Sequence, residues 1–242
     1  MRKTVFWDFD GTLVRSQSLW TGSVYKALAD AISDCPWTIE DVRPHMQSGF
    51  PWHCPERDYS HLVSGTCWWD HMTEHFSRIY RTLGVQADHA DAVAATIRTK
   101  VLNPDNYELY PDAVQALQAC LDDGWQNHIL SNNYPELNSV MESLGIAKYF
   151  SGITVSALVG VEKPRPEIFE AARAAAGNPS LCVMAGDNPV ADIAGATAAG
   201  MRAILVHGRV CQGLIILPIE LCEVPSMLHC INKGQGETNG AY

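Results

Sequence analysis

Thr4 to Phe9 is an apolar, β-branched and aromatic run, and two carboxylates, Asp8 and Asp10, stand at its end. Such a run reads as a strand covered on both faces, which places it at the centre of a parallel sheet. Strand side chains alternate, so Asp8 and Asp10 leave it on the same side. Gly11 then permits a sharp turn at little steric cost. Two like charges about 5 Å apart, at an effective dielectric of about 20, repel by roughly 3 kcal/mol. The spacing therefore predicts a cation beside this pair.

The rest of the chain divides into two unlike parts. From Trp20 to Val101 the apolar residues recur at helical intervals. Trp20, Val24 and Leu28 form one stripe. Trp69, Met72, Phe76, Ile79, Tyr80 and Leu83 form a second, and Ala90, Val93, Ala94, Ile97 and Val101 a third. Three amphipathic helices of a small bundle are expected. Thr38-x-x-Asp41 predicts a capped short helix that Pro44 keeps short. Between Pro36 and Gly65 the periodicity is weak, and Trp52, His53, Trp68 and Trp69 crowd together. They either plug the underside of a lid or line a pocket.

From Asn103 onward strands and helices alternate. Strands are predicted near 125–130, 152–156, 181–185 and 203–206. Helices are predicted after Tyr110-Pro111-Asp112 and at 137–144, 166–176 and 190–199. Units of this length imply an α/β fold with a doubly wound parallel sheet. Leu214 to Ile219 reads as an edge strand and Lys233 to Tyr242 as a disordered tail. An all-α helical block, residues 15–105, thus interrupts a Rossmann-like core made of 1–14 and 106–242.

Charge and composition narrow the partners. Among 242 residues, 27 acidic against 17 basic side chains give a formal charge of −10. That balance argues against nucleic acid or an anionic membrane as a partner. No apolar run is long enough to span a bilayer. The eight cysteines include no CxxC pair, and the N-terminus enters a strand without a signal-type apolar stretch. Free thiols, with Cys120 and Cys182 in the core, and a cytoplasmic monomer or homodimer are expected.

Asp8-Phe9-Asp10-Gly11-Thr12-Leu13-Val14 resembles the first motif of the haloacid dehalogenase-like (HAD) hydrolases. Ser131-Asn132-Asn133 resembles the second, Glu162-Lys163-Pro164 the third, and Gly186-Asp187-x4-Asp192 the fourth, in the family's order. The helical block matches by position the lid called a C1 cap, as in phosphoglycolate phosphatase-like members. The resemblance implies a phosphatase acting on a small-molecule phosphate monoester. Asp8 would be the nucleophile, Asp10 the acid and base, and Lys163 the counter-charge. Gly11, Thr12, Ser131 and Asn132 would bind phosphoryl oxygens. Four aspartates against one lysine leave three negative charges, and oxygen-only ligands favour Mg2+ held by Asp8, Asp10, Asp187 and Asp192. Trp20, Trp52, His53 and Arg57, aromatic or cationic and near the irregular cap segment, are the candidates for substrate selection. Arg57 would clamp a carboxylate or second phosphate, or else pair with Glu56 or Asp58.

Other readings compete. Family dehalogenases lack the second aspartate, and phosphonatases need a cap lysine, whereas no lysine lies between Lys26 and Lys100. A phosphomutase or a non-catalytic binding protein would carry the same core motifs. His71-x-x-Glu74-His75 is formally an inverted zincin pattern, or else a solvated helix face.

Overall fold

The first apolar run forms β1 (Lys3–Trp7) of the computed structural model, in which residues 2–16, 18–207 and 219–232 are described. β2 (Val14–Arg15) pairs antiparallel with β3 (Glu108–Leu109) in a short ribbon that the sequence patterns do not announce. β4 (Gln126–Ser131), β5 (Gly152–Val155), β6 (Leu181–Gly186) and β7 (Arg202–Leu205) follow. The order β5-β4-β1-β6-β7 puts β1 at the centre of a five-stranded, wholly parallel sheet.

Alternation along β1 sends its side chains into two separate cores. Val5 and Trp7 join the cluster covered by the helices Ala113–Asp122, Leu137–Ser143 and Val224–Asn232. Phe6 joins Leu130, Ile168, Phe169 and Met184 beneath the helix Pro166–Ala175. Helices on both faces make the fold a doubly wound α/β sheet.

The helical block holds Leu19–Ala31 and Cys67–Thr82, with the third expected helix split in two, Ala87–Ala94 and Ile97–Val101. Thr96 causes the break. Its hydroxyl donates to the Val93 carbonyl at 2.8 Å while its amide donates to the same oxygen, closing a tighter turn than the α-helix allows. Thr38 and Asp41 form the expected capping box on Ile39–Val42, and the chain passes at Pro44 into a 3₁₀ turn, Arg43–Gln47. The block is tied to the core through the segment after β4. Glu136 accepts from the Trp69 indole at 2.7 Å and from Arg98, and the Tyr107 hydroxyl, 2.6 Å from that of Tyr134, donates to the Val101 carbonyl of the block at 3.0 Å.

The helix expected over 190–199 begins instead as a wide π-helical stretch, Pro189–Ala194, before Gly195–Ala198. Of the predicted edge strand only Ile219, bridged to Val206, lies among the described residues. The predicted tail lies outside them. Cys120 and Cys182 are buried. No described helix is long and apolar enough to cross a membrane.

Candidate active site

Register gathers the site. Trp7 pairs with Ile129 on one side and Ala185 on the other, so the next residue, Asp8, stands level with the ends of β4 and β6. Ser131 ends β4, and Asp187 follows β6 directly. Ligands of open parallel sheets bind at these carboxyl ends, where a side chain at each tip faces its neighbours.

Lys163 is the hub. It is 3 % exposed, and its ammonium donates to Asp8 Oδ1 at 2.8 Å, Asp192 Oδ1 at 2.6 Å and the Leu130 carbonyl at 2.9 Å. All three donors of the group are thus engaged. Burial alone would pull its pKa down, but Asp192 and Asp8 outweigh burial and hold it raised. Asp8 Oδ1 also accepts from the Ser131 hydroxyl at 2.8 Å. Asp192, fully buried, accepts through its other oxygen from the Asn188 amide at 2.9 Å. Asn188 in turn caps the π-helical stretch, accepting from the amides of Val190 and Ala191.

Asp10 is treated differently. The cation expected between the two carboxylates of the first motif sits on Asp8, on the side toward Asp192. Burial, then the charge of Asp8, raise the Asp10 carboxyl to about 7. Asn133, donating to Oδ2 at 2.8 Å, and then Ser16 oppose the shift, while Oδ1 is buried and has no hydrogen-bond partner among the described residues. The lysine relieves repulsion on the Asp8 side, while Asp10 binds a proton more tightly than an ordinary carboxyl does. A carboxyl poised near neutrality can give and take a proton at one atom.

Asp8, Asp187 and Asp192 offer carboxylate oxygens within 4.8 Å of one another. Three carboxylates against one ammonium leave two negative charges, which a divalent cation would cancel, and the donors are all oxygen. Space around them is kept by glycine. A Cβ on Gly11, which has φ +82°, would lie 2.5 Å from Asp187 Oδ2, and one on Gly186 would lie 2.3 Å from Asp192. The cradle fits a small hard dication.

A cavity of about 700 Å³ opens above this cluster. Asp8, Asp10, Ser131, Asn132, Lys163, Asp187 and Asp192 form its floor, and Trp20, Trp52 and His53 belong to its roof. Trp68 and Trp69, by contrast, are buried and plug the space behind. Gly11 and Thr12 lie outside the lining, Thr12 being fully buried. Arg57 also lies outside it, with its side chain 69 % exposed and 4.0 Å from Glu56. The Asn132 amide faces the backbone of Lys163, donating to its carbonyl at 3.0 Å and accepting from its N–H at 2.7 Å. It thereby fixes the loop that carries the lysine.

Two functional neighbours escaped the sequence reading. Asn133 could have been found as the third residue of its motif. Glu162 gave no signal beyond its place before Lys163. It is 1 % exposed, Oε2 has no partner among the described residues, and burial lifts it from an ordinary 4.5 to about 7, with Ser156 opposing. That gap is worth about 3 kcal/mol. Because the folded state holds this proton more tightly than the unfolded chain, the stabilisation is complete below about pH 4.5 and lost as pH rises through about 7. Glu162→Gln should therefore flatten that decline. Urea midpoints of the two proteins should agree near pH 4.5 and favour the variant by about 2–3 kcal/mol at pH 8. Parallel pH profiles would show that Glu162 is not the group responsible.

The HxxEH residues do not gather. Glu74 is exposed and pairs with Arg78, while His75 is packed against Gly49 with its pKa lowered by burial to about 4. Among the described residues the metal-capable cluster is the aspartate triad.

Comparison with known proteins agrees with this architecture. Residues 2–200 match the family model for haloacid dehalogenase-like hydrolases. The human haloacid dehalogenase-like hydrolase domain-containing protein 3 is 28 % identical over 206 residues, 84 % of this chain and 80 % of its own. The phosphoserine phosphatase of Thermus thermophilus is 38 % identical over 102 residues, 41 % of each chain. The crystal structure of 2-haloacid dehalogenase from Pseudomonas syringae shares the fold, with a TM-score of 0.66 at 23 % identity over 95 % of this chain and 99 % of that one. With the family model matched across most of its length, on a parallel sheet around whose carboxyl ends the four motifs gather, the chain belongs to the haloacid dehalogenase-like hydrolase family.

Proposed function

We propose that the protein is a Mg2+-dependent phosphatase of small-molecule phosphate monoesters, working beneath a C1-type helical cap formed by residues 15–105. One observation carries this reading. Asp8, held by Lys163 and Ser131, shares a cavity floor with a second carboxyl, Asp10, whose pKa is raised to about 7.

Asp8 attacks phosphorus, forming a P–O bond as the bond to the leaving oxygen breaks. Protonated Asp10 gives its proton to that oxygen. Water, losing a proton to Asp10, then attacks the aspartyl-phosphate, breaking the bond to Asp8 and releasing inorganic phosphate. Lys163 offsets charge on Asp8 in both steps and holds Asp192 in place. Mg2+ would be held by Asp8, Asp187 and the Asp10 backbone carbonyl, with Asp192 behind them, and would supply neutralisation of charge on the phosphoryl oxygens. The phosphatase relative from Thermus thermophilus, matched over 102 residues, supports phosphoryl chemistry.

The test is a phosphate-release screen over sugar phosphates, phosphoglycolate, nucleotides and aryl phosphates, with Mg2+ and with EDTA. Release that needs Mg2+ is the expected result. Isomer formation without release would assign a mutase, and neither outcome would leave a binding protein.

A further inference from the structure

The two halves of the cavity differ in kind. Its floor is ionic, whereas the roof presents aromatic rings. Trp20 lies 4.8 Å edge-on to Phe50, and Phe50 stacks on Trp52 at 4.7 Å with 21° between the planes. Trp20 and Trp52 are 5.8 Å apart. Met46 and Pro55 extend this apolar surface. The rings are braced from behind, since Trp68 stacks against Trp52 and Phe76 against Trp20. Trp20 and Trp52 stay partly exposed, while Trp68 and Trp69 are buried. A wall that served packing alone would be closed over.

The roof also lacks charge. Among the described lining residues the lysine or arginine present is Lys163, and its three donors are engaged at the floor. His53 at the rim is held toward its neutral form by burial. Arg57 stands outside the lining, and Arg165 is turned to Glu167. A leaving group carrying a carboxylate or a second phosphate would find hydroxyls at Ser16, Ser18 and Thr21 but no free cation among the described lining residues, so moving that charge out of water is poorly compensated. A flat, uncharged ring would instead meet rigid aromatic faces. Stacking on such faces is worth about 1–3 kcal/mol per base.

We propose that the preferred substrate is a phosphate monoester whose leaving group bears an uncharged planar ring, seated against Trp20 and Trp52. This rests on the phosphatase reading for its chemistry, but ring binding is measurable without turnover. Two sources share the chemistry, aryl phosphates and nucleoside 5′-monophosphates, and both are included in the test.

Binding is read first, by quenching of intrinsic tryptophan fluorescence in the full chain with Mg2+ present. Phenylphosphonate should bind about 10- to 100-fold tighter than methylphosphonate. Trp52→Ala should shrink that ratio about tenfold, and Trp52→Phe, which keeps a ring, should shrink it less. Activity is read second, as kcat/KM for phenyl phosphate, nucleoside 5′-monophosphates, phosphoglycolate and acetyl phosphate. One or both ring-bearing classes should exceed the other two by at least tenfold, and the better of them names the source. Equal binding of the two phosphonates, or preference for phosphoglycolate, would overturn the ring assignment while leaving a phosphatase in place. Ring-selective binding without phosphate release from any ester would sustain the ring site and sink the phosphatase reading.

Discussion

Asp8→Asn should abolish measurable turnover, a loss on the order of 10⁴–10⁶-fold in kcat by analogy with removal of other enzymatic nucleophiles. The substitution is close to isosteric, and the amide oxygen can still accept from Lys163 and Ser131, which both contact Oδ1. Loss of activity therefore reports chemistry, not collapse of the strand tip. The amide cannot form the covalent intermediate, so acid-quenched enzyme labelled from a radioactive ester should carry phosphate in the parent protein and none in the variant. Substrate affinity should survive within a few-fold, since the cavity keeps its shape. A variant retaining a tenth of the parental kcat would remove Asp8 as nucleophile and point to direct attack by water.

Lys163→Met should destabilise the fold by about 3–5 kcal/mol, the range found when one member of a buried ion pair is removed. The size follows from what is left behind. Asp192, fully buried, and Asp8, 8 % exposed, would face each other without the ammonium, and the Leu130 carbonyl would lose its donor. The pH dependence has a defined sign. Burial already raises the Asp192 carboxyl, and losing the lysine raises it further. The deficit should thus shrink as pH falls and protons replace the missing cation. Divalent cation should act in the same direction, returning about 2.7 kcal/mol at a hundred times its dissociation constant. Urea unfolding at pH 5 and 8, with and without Mg2+, measures both. A deficit under 1 kcal/mol at pH 8 would mean that the ion pair does not govern stability.

Lysine and aspartate together explain why the site is assembled as it is. An ammonium with three fixed acceptors holds Asp8 through Oδ1, beside a carboxyl, Asp10, that burial raises to about 7.

The first strand, its two aspartates and the alternation of strand and helix after Asn103 were legible because each depends on local periodicity and turn chemistry. The chain by itself thus determined the α/β sheet, the inserted helices and the positions of Asp8, Ser131 and Asp187 at strand ends, whereas Asp192 reaches the cluster from the π-helical stretch after β6. Tertiary structure alone decided where irregular segments aim their side chains. It sent Arg57 to solvent and Trp52 to the cavity, though the two are five residues apart in one loop. It turned Asn132 onto the Lys163 backbone and Asn133 onto Asp10, and it enclosed Glu162 with an unpaired oxygen. Strand registers follow from a two-residue repeat. A loop has no repeat, and its side-chain directions are set by contacts with residues as far as 123 positions away.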